Sequence, residues 1–321
     1  ISKGGYNPKT KYIEVIDGQT ITQDFQLVPY TEATITYDGE KIVISKGTAN
    51  LTLINETLND PSLLEQLSPK EWLLKVPIQI ESTGILYITA DDCEWLKMRE
   101  MPEYSEVYIE SSGTLHISNT RISGWNTTSN STPETVNRGY ILITPGGRLY
   151  ISNSTVEYIG HAGGFSLYGG IGCHDCYLEI VDSVINKVHS VDGYNMKNSI
   201  IKANLFKHCK IKAEQKNAYN NTITNNVVQD GSIWADYGAY NNTITSNLIY
   251  GKDTTTASIQ VHGSHHNYVA YNIIHNTSAH GAIDVHSIND DYVCYSNIIE
   301  YNTIYDAGLG IYAVSYTHLR A

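Results

Sequence analysis

Phe and Met are scarce, three of each in 321 residues, which argues against a core of packed helices. Tyr is abundant at 25, and with frequent Asn and Thr it favours strands and turns. Basic residues are also few. The 21 Lys plus Arg stand against 33 Asp plus Glu, and a net charge of -12 argues against nucleic acid as a partner. It disfavours a polyanionic ligand too, unless the binding face is locally less acidic. No apolar run has the length of a membrane span and no signal peptide is visible, while Ile1 in place of an initiator Met reads as a fragment. Five cysteines are an odd number without framework spacing. Cys173-His174-Asp175-Cys176 has the CxxC form but no second pair to complete a zinc site, so all five are read as small buried or turn residues. Neither a metal nor another cofactor is expected.

What is present is a repeat. A phrase of the type Gly-x-Leu-x-Ile recurs at Gly84, Gly113 and Gly147 and, with Cys176 in the first place, at Tyr177-Leu178-Glu179-Ile180. Alternation of apolar and polar residues marks strands with one buried face. The leucines Leu86, Leu115, Leu149 and Leu178 are 29, 34 and 29 residues apart, a spacing that suits coils with turns of varying length. Further on, Asn204, Asn226, Asn247, Asn272 and Asn297 follow at 22, 21, 25 and 25 residues, and stacked Asn side chains in left-handed turns are expected there. Three residues before each stands an inward candidate: Ile201, Ile223, Ile244, Val269 and Cys294.

These features predict an all-β chain, a right-handed parallel β-helix with an N-terminal β/helix cap. The expected boundaries are 1–70 for the N-terminal strands and capping helix, 71–314 for the solenoid, and 315–321 for a non-native tail. Strands are expected at 12–16, 33–37 and 41–45. Asp60 as N-cap and Pro61 at the first helical position predict a helix from Pro61 to Leu67.

The series Ile211-Lys212-Ala213-Glu214, Ile233-Trp234-Ala235-Asp236, Ile259-Gln260-Val261-His262, Ile283-Asp284-Val285-His286 and Ile311-Tyr312-Ala313-Val314 fixes a register. The Ile and the small residue two places later point inward, and the residues between them point to solvent. Two outward columns result: Lys212, Trp234, Gln260, Asp284 and Tyr312 in one, Glu214, Asp236, His262 and His286 in the other. Coils rise by about 4.8 Å, close to the advance per sugar in an extended polysaccharide, so each coil suits one subsite. Trp234 and Tyr312 offer flat faces to sugar rings; Asp236, Gln260 and Lys212 offer polar contacts. The loops 124–138, 160–175 and 251–257 are expected to wall the groove. His262, Asp284 and His286 form the densest group able to carry acid and base chemistry. A polysaccharide is the expected partner of a monomeric protein. Eight Asn-x-Ser/Thr sequons, from Asn50 to Asn276, are compatible with an extracellular or cell-surface location.

Asp284-Val285-His286-Ser287 resembles the Asp-Pro-His-Asp signature of the mannuronan C-5-epimerases, within the β-helix superfamily of carbohydrate-binding and sugar-hydrolysing proteins. Trp72 to Ile80, with Gly84 and Leu86, and Ser154 to Gly160 are similar to that group as well. The resemblance implies removal of the C5 proton of a uronate and its return to the opposite face. It makes His286 the base and Asp284 its orienting or carboxylate-binding partner, and His262 is then the candidate for the opposite face. Val285 and Ser287 depart from the signature. Where the family carries a charge-neutralising Arg this chain has Tyr312, and Lys212 stands three coils from Asp284. A lyase or hydrolase on the same scaffold and a non-catalytic adhesion protein are the alternatives.

Overall fold

One coil shows how the sequence folds. In Lys210–Glu214, Ile211 and Ala213 turn inward and are fully buried, while Lys212 and Glu214 turn outward. The chain then bends through residues with positive φ, Gln215 and Asn220, into Thr222–Thr224, through Asn225 into Val227–Gln229, and through Asp230 into the next coil. A single left-handed residue re-aims the chain with little loss of length, and Asn and Asp tolerate that conformation better than most side chains. Repetition of this course gives three parallel ladders. One is an 11-stranded sheet; the other two are joined as a 21-stranded sheet, because the Ile78–Thr89 strand runs through the corner between them. The computed structural model describes residues 32–100, 107–133, 138–160, 169–251, 256–277, 281–313 and 318–319. The expected strand at 12–16, Val314 and parts of the three expected wall loops lie outside them.

The core is a continuous stack of Ile, Leu and Val from Ile35 to Ile299, with Trp72 and Phe206 its largest fully buried side chains. Most inward columns repeat aliphatic residues from coil to coil, although one runs Ile143, Cys173, Gly193, Ala213, Ala235, Val261 and Val285. Ile201, Ile223, Ile244 and Val269 do share a column, but its next member is Ile299. Cys294 is buried, as expected, yet at a corner, where its Sγ lies 3.1 Å from the carbonyls of Val261 and His286.

The Asn series requires the same correction. There are two ladders, Asn204-Asn226-Asn247-Asn272-Asn302 and Asn221-Asn242-Asn267-Asn297, in which each Asn Nδ2 reaches the next Oδ1 at 2.9–3.1 Å. Asn297 falls 25 residues after Asn272 by coincidence. That coil is lengthened to 30 residues by the bridged turn at Asn289 and Tyr292. Nor do the ladder residues take the left-handed conformation, which falls on the residue before each, such as Asn225 before Asn226.

The N-terminal segment differs from expectation in one element. Residues Leu51–Leu58 form the helix, with the Asn50 side chain accepting the Leu53 N–H at 2.8 Å and left-handed Asn59 at its end. Asp60 uses its carboxylate for a turn, accepting the Ser62 N–H, and Leu64–Ser68 is a strand antiparallel to Glu71–Leu74. Sheet pairing overrode the local helix signal. Parallel pairing is already established at Ile42, opposite Ile78. Cys173 and Cys176 are bonded to each other in a disulfide, which their spacing alone did not announce, whereas Cys93, Cys209 and Cys294 are buried free thiols.

Gly113 opens its phrase because a Cβ there would press into the carbonyl oxygens of Glu81 and Gly84 in the preceding coil. Gly113→Ala is therefore expected to cost about 1–3 kcal/mol, as overpacking against backbone does. Gly310→Ala, which meets open space, is the control. Equal denaturant midpoints for the two variants would contradict this close approach.

Candidate functional site

The outward columns have the register expected of them. Lys212, Trp234, Gln260, Asp284 and Tyr312 pair in sequence along one, and Glu214, Asp236, His262 and His286 along the other. Upstream they continue into Asp192 and Tyr194, which sequence reasoning missed because Ser190–Tyr194 lacks the Ile-x-Ala phrase. Pointing away from the core did not, however, mean pointing into solvent. Lys212, Glu214, Asp236 and Gln260 are all buried and Trp234 is half-buried, whereas Asp284, His262, His286 and then Tyr312 open outward.

The covered stretch is a charge network. Lys212 Nζ lies 3.3 Å from Asp192 and 3.5 Å from Glu214, and both carboxyls are pushed up by burial despite that ammonium. Burial opposes the Lys212 charge, but the two carboxylates outweigh it and raise its pKa. Asp236 goes furthest, to about 8, through burial first and then the neighbouring Glu214 charge. A buried lysine with two acidic partners is already neutralised, so the expected ligand contacts by Lys212 and Asp236 lack an accessible group. Trp234 is also engaged, with the ammonium groups of Lys210 and Lys212 each 4.9 Å from its ring centre.

The open stretch brings together the three residues expected to carry chemistry. Asp284 and His286 alternate onto one face of Ile283–His286, and His262 sits opposite His286 on the adjacent strand. Oδ1 of Asp284 is 3.0 Å from His286 Nδ1, and its Oδ2 is 3.2 Å from His262 Nε2. Burial opposes ionisation of Asp284, but the two histidines outweigh it and hold its carboxyl below the ordinary value. On the far side of His262, Nδ1 is 4.0 Å from Asp236 Oδ1, which also accepts the His262 backbone N–H. The imidazoles lie against each other with centroids 3.9 Å apart and planes tilted by 39°. No sugar ring passes between rings that close, so both face a ligand from one side. An opposite-face role for His262 has no support in this geometry.

A wall beside the histidines was invisible in the sequence pattern. Gly238 and Gly263, both at positive φ, lack the side chains that would obstruct the corner. Lys216 packs over Gly238 and Tyr292 over Gly263. The Lys216 ammonium lies 5.1 Å from the Tyr292 ring centre, and Tyr237 meets Tyr292 edge-on at 5.6 Å. The only signal was the Asn289-Asp290-Asp291-Tyr292 insertion, which lengthens this coil.

No family model and no curated protein sequence matches the chain. Among solved structures, a double mutant of the periplasmic alginate epimerase AlgG is similar, with a TM-score of 0.54 and 16% identity over 88% of this chain and 85% of that one. The A-module of Azotobacter vinelandii mannuronan C-5 epimerase AlgE6 aligns at 0.43 and 10% identity over 78% and 88%. An alginate lyase from Paenibacillus sp. str. FPU-7 aligns at 0.37 and 13% over 88% and 99%. With the likeness to the first and its own sheet order, the chain is a right-handed parallel β-helix.

Proposed function

We propose that the protein binds a uronate-containing polysaccharide across the open end of the outward columns and removes the C5 proton of one sugar. The observation that carries this reading is the Asp284–His286 pair. A carboxylate bonded to Nδ1 holds the imidazole in the tautomer whose lone pair is on Nε2, so that atom takes the proton. His286, its side chain 35% exposed, is reachable, unlike the buried Asp236. Tyr312, one coil further, offers a face to the neighbouring sugar, with half-buried Trp234 deeper along the same column. Lys216 supplies positive charge for the uronate carboxylate in place of the missing Arg. The periplasmic alginate epimerase named above has the same fold, which supports a polyuronate as the substrate class and an exported protein.

Epimerisation returns the proton to the opposite face; elimination across C4 and C5 does not need that return. The close approach of both imidazoles on one side favours a lyase as the second reading. Hydrolysis by Asp236 and Asp284 is disfavoured, since Asp236 is 3% exposed and cannot reach a glycosidic oxygen.

The test is incubation of polymannuronate with chelator-treated protein in heavy water. Deuterium at C5 of inverted, guluronate residues without chain cleavage means epimerisation, and an unsaturated chain end means elimination. His286→Ala is expected to lower either rate by at least about 100-fold, the scale of a lost general base. Glycan binding with no exchange and no cleavage would leave an adhesion protein. Exchange that survives in His286→Ala would remove the assignment of the base.

A further inference from the structure

We infer that His262, Asp284 and His286 also form a binding site for one divalent first-row transition metal ion. Each side chain offers a ligand atom, and the three atoms lie within 4.8 Å of one another. His286 Nδ1 lies 3.0 Å from one Asp284 oxygen and His262 Nε2 3.2 Å from the other, close to the edges of a coordination polyhedron that small side-chain rotations would complete. Bonds of about 2.1 Å give ligand–ligand edges of about 3.0 Å in an octahedron and about 3.4 Å in a tetrahedron.

A second observation is independent of those distances. His262 Nε2 is buried and has no hydrogen-bond partner, although Asp284 Oδ2 is beside it, so its approach to that oxygen is off the hydrogen-bond axis. A buried ring nitrogen left in this way is costly unless something else occupies its lone pair. Behind the same ring Asp236 Oδ1 lies 4.0 Å from Nδ1 and accepts the His262 backbone N–H, which fixes the strand position of that residue.

Backbone register prepares the set, since His262 and His286 are paired residues of adjacent parallel strands and Asp284 shares the His286 face. Two imidazoles and one carboxylate suit Zn²⁺, Mn²⁺, Fe²⁺, Co²⁺ or Ni²⁺; Ca²⁺ and Mg²⁺ demand more oxygens. The half-exposed His286 leaves one side of the ion open to water or a ligand. No metal was expected from the sequence, whose register brings these residues to adjacent strands without giving the distances between their ligand atoms.

One consequence links the ion to the proposed chemistry. A metal-bound His286 Nδ1 leaves Nε2 protonated, so the imidazole has no lone pair for C5. Occupancy and proton removal exclude each other, and the ion acts as an inhibitor of that step.

Binding is tested without polysaccharide, which keeps its failure separate from failure of the proposed reaction. The full chain is stripped with chelator and dialysed against Zn²⁺, and bound metal is measured by elemental analysis. One ion per chain is expected, weakened at least about tenfold in His262→Gln and in Asp284→Asn, and unchanged in His208→Ala. The Co²⁺ form of the wild type is expected to show visible d–d absorption that Zn²⁺ displaces, a readout that does not depend on any variant folding. Sub-stoichiometric binding, binding indifferent to His262→Gln and Asp284→Asn, or loss in His208→Ala would each overturn the site.

Discussion

Asn226→Leu is expected to be the most damaging single substitution in the solenoid that leaves hydrophobic volume intact, at about 3–5 kcal/mol. In the wild type, Asn226 Oδ1 accepts both the backbone N–H and the side-chain Nδ2 of Asn204 at 3.0 Å, and its own Nδ2 donates to Ile201 O at 2.9 Å and Asn247 Oδ1 at 3.0 Å. All of these groups are buried at a corner of the coil. Leucine fills the same space but strips the Asn204 N–H of its acceptor and Ile201 O of a donor. Each buried group left unpaired costs about 1–3 kcal/mol, and the ladder transmits the loss to its neighbours. For a chain of this size the thermal midpoint is expected to fall on the order of 10 °C. Asn225→Gly, at the exposed left-handed position one residue earlier, keeps the backbone conformation and is expected to change little. Calorimetry of the two variants checks this; equal midpoints would mean that the ladder contributes no more than an exposed turn.

The second large effect is a pH dependence. Asp236 has a folded pKa near 8, against an ordinary value of 3.8, because burial and the Glu214 charge disfavour its anion. The folded chain therefore holds a proton that the unfolded chain releases above about pH 4. Stability from this group is complete below the ordinary carboxylate pKa, declines as pH rises, and is lost once pH passes about 8. Asp236→Asn removes the ionisation while retaining an oxygen for the His262 N–H. In metal-free protein, the variant and wild type are expected to melt alike near pH 4. The variant is then expected to gain steadily up to pH 8, with a final difference of a few kcal/mol at about 1.4 per pKa unit. Midpoints that run parallel across this range would contradict a neutral Asp236. Asp192, Lys212 and Glu214 titrate in the same network, so the difference between the two proteins carries the information, not either profile alone.

How far the sequence could be read depended on whether the signal was local. Alternation along Ile-x-Ala-x and Ile-x-Val-x phrases gave the register of both outward columns, and every pairing from Lys212 to Tyr312 agrees with it. Coil length was not local. An insertion at Asn289 to Tyr292 shifted the true ladder partner of Asn272 to Asn302, and equal spacing pointed to Asn297 instead. The helix at Leu51–Leu58 was missed for a related reason: Asp60-Pro61 carries the stronger start signal, but Leu64 was claimed by pairing with Leu74.

The sequence by itself determined the parallel β-helix, the inward Ile columns and the outward direction of Asp284, His286 and His262, because period-two alternation leaves one choice of face. Only the tertiary structure decided which outward residues are accessible. Direction away from the core is a property of the strand, whereas burial depends on what else folds over it, as Lys212, Asp236 and Gln260 illustrate. It also decided that both imidazoles meet one carboxylate and lie against each other, since side-chain distances between coils follow from packing, and no spacing along the chain encodes them.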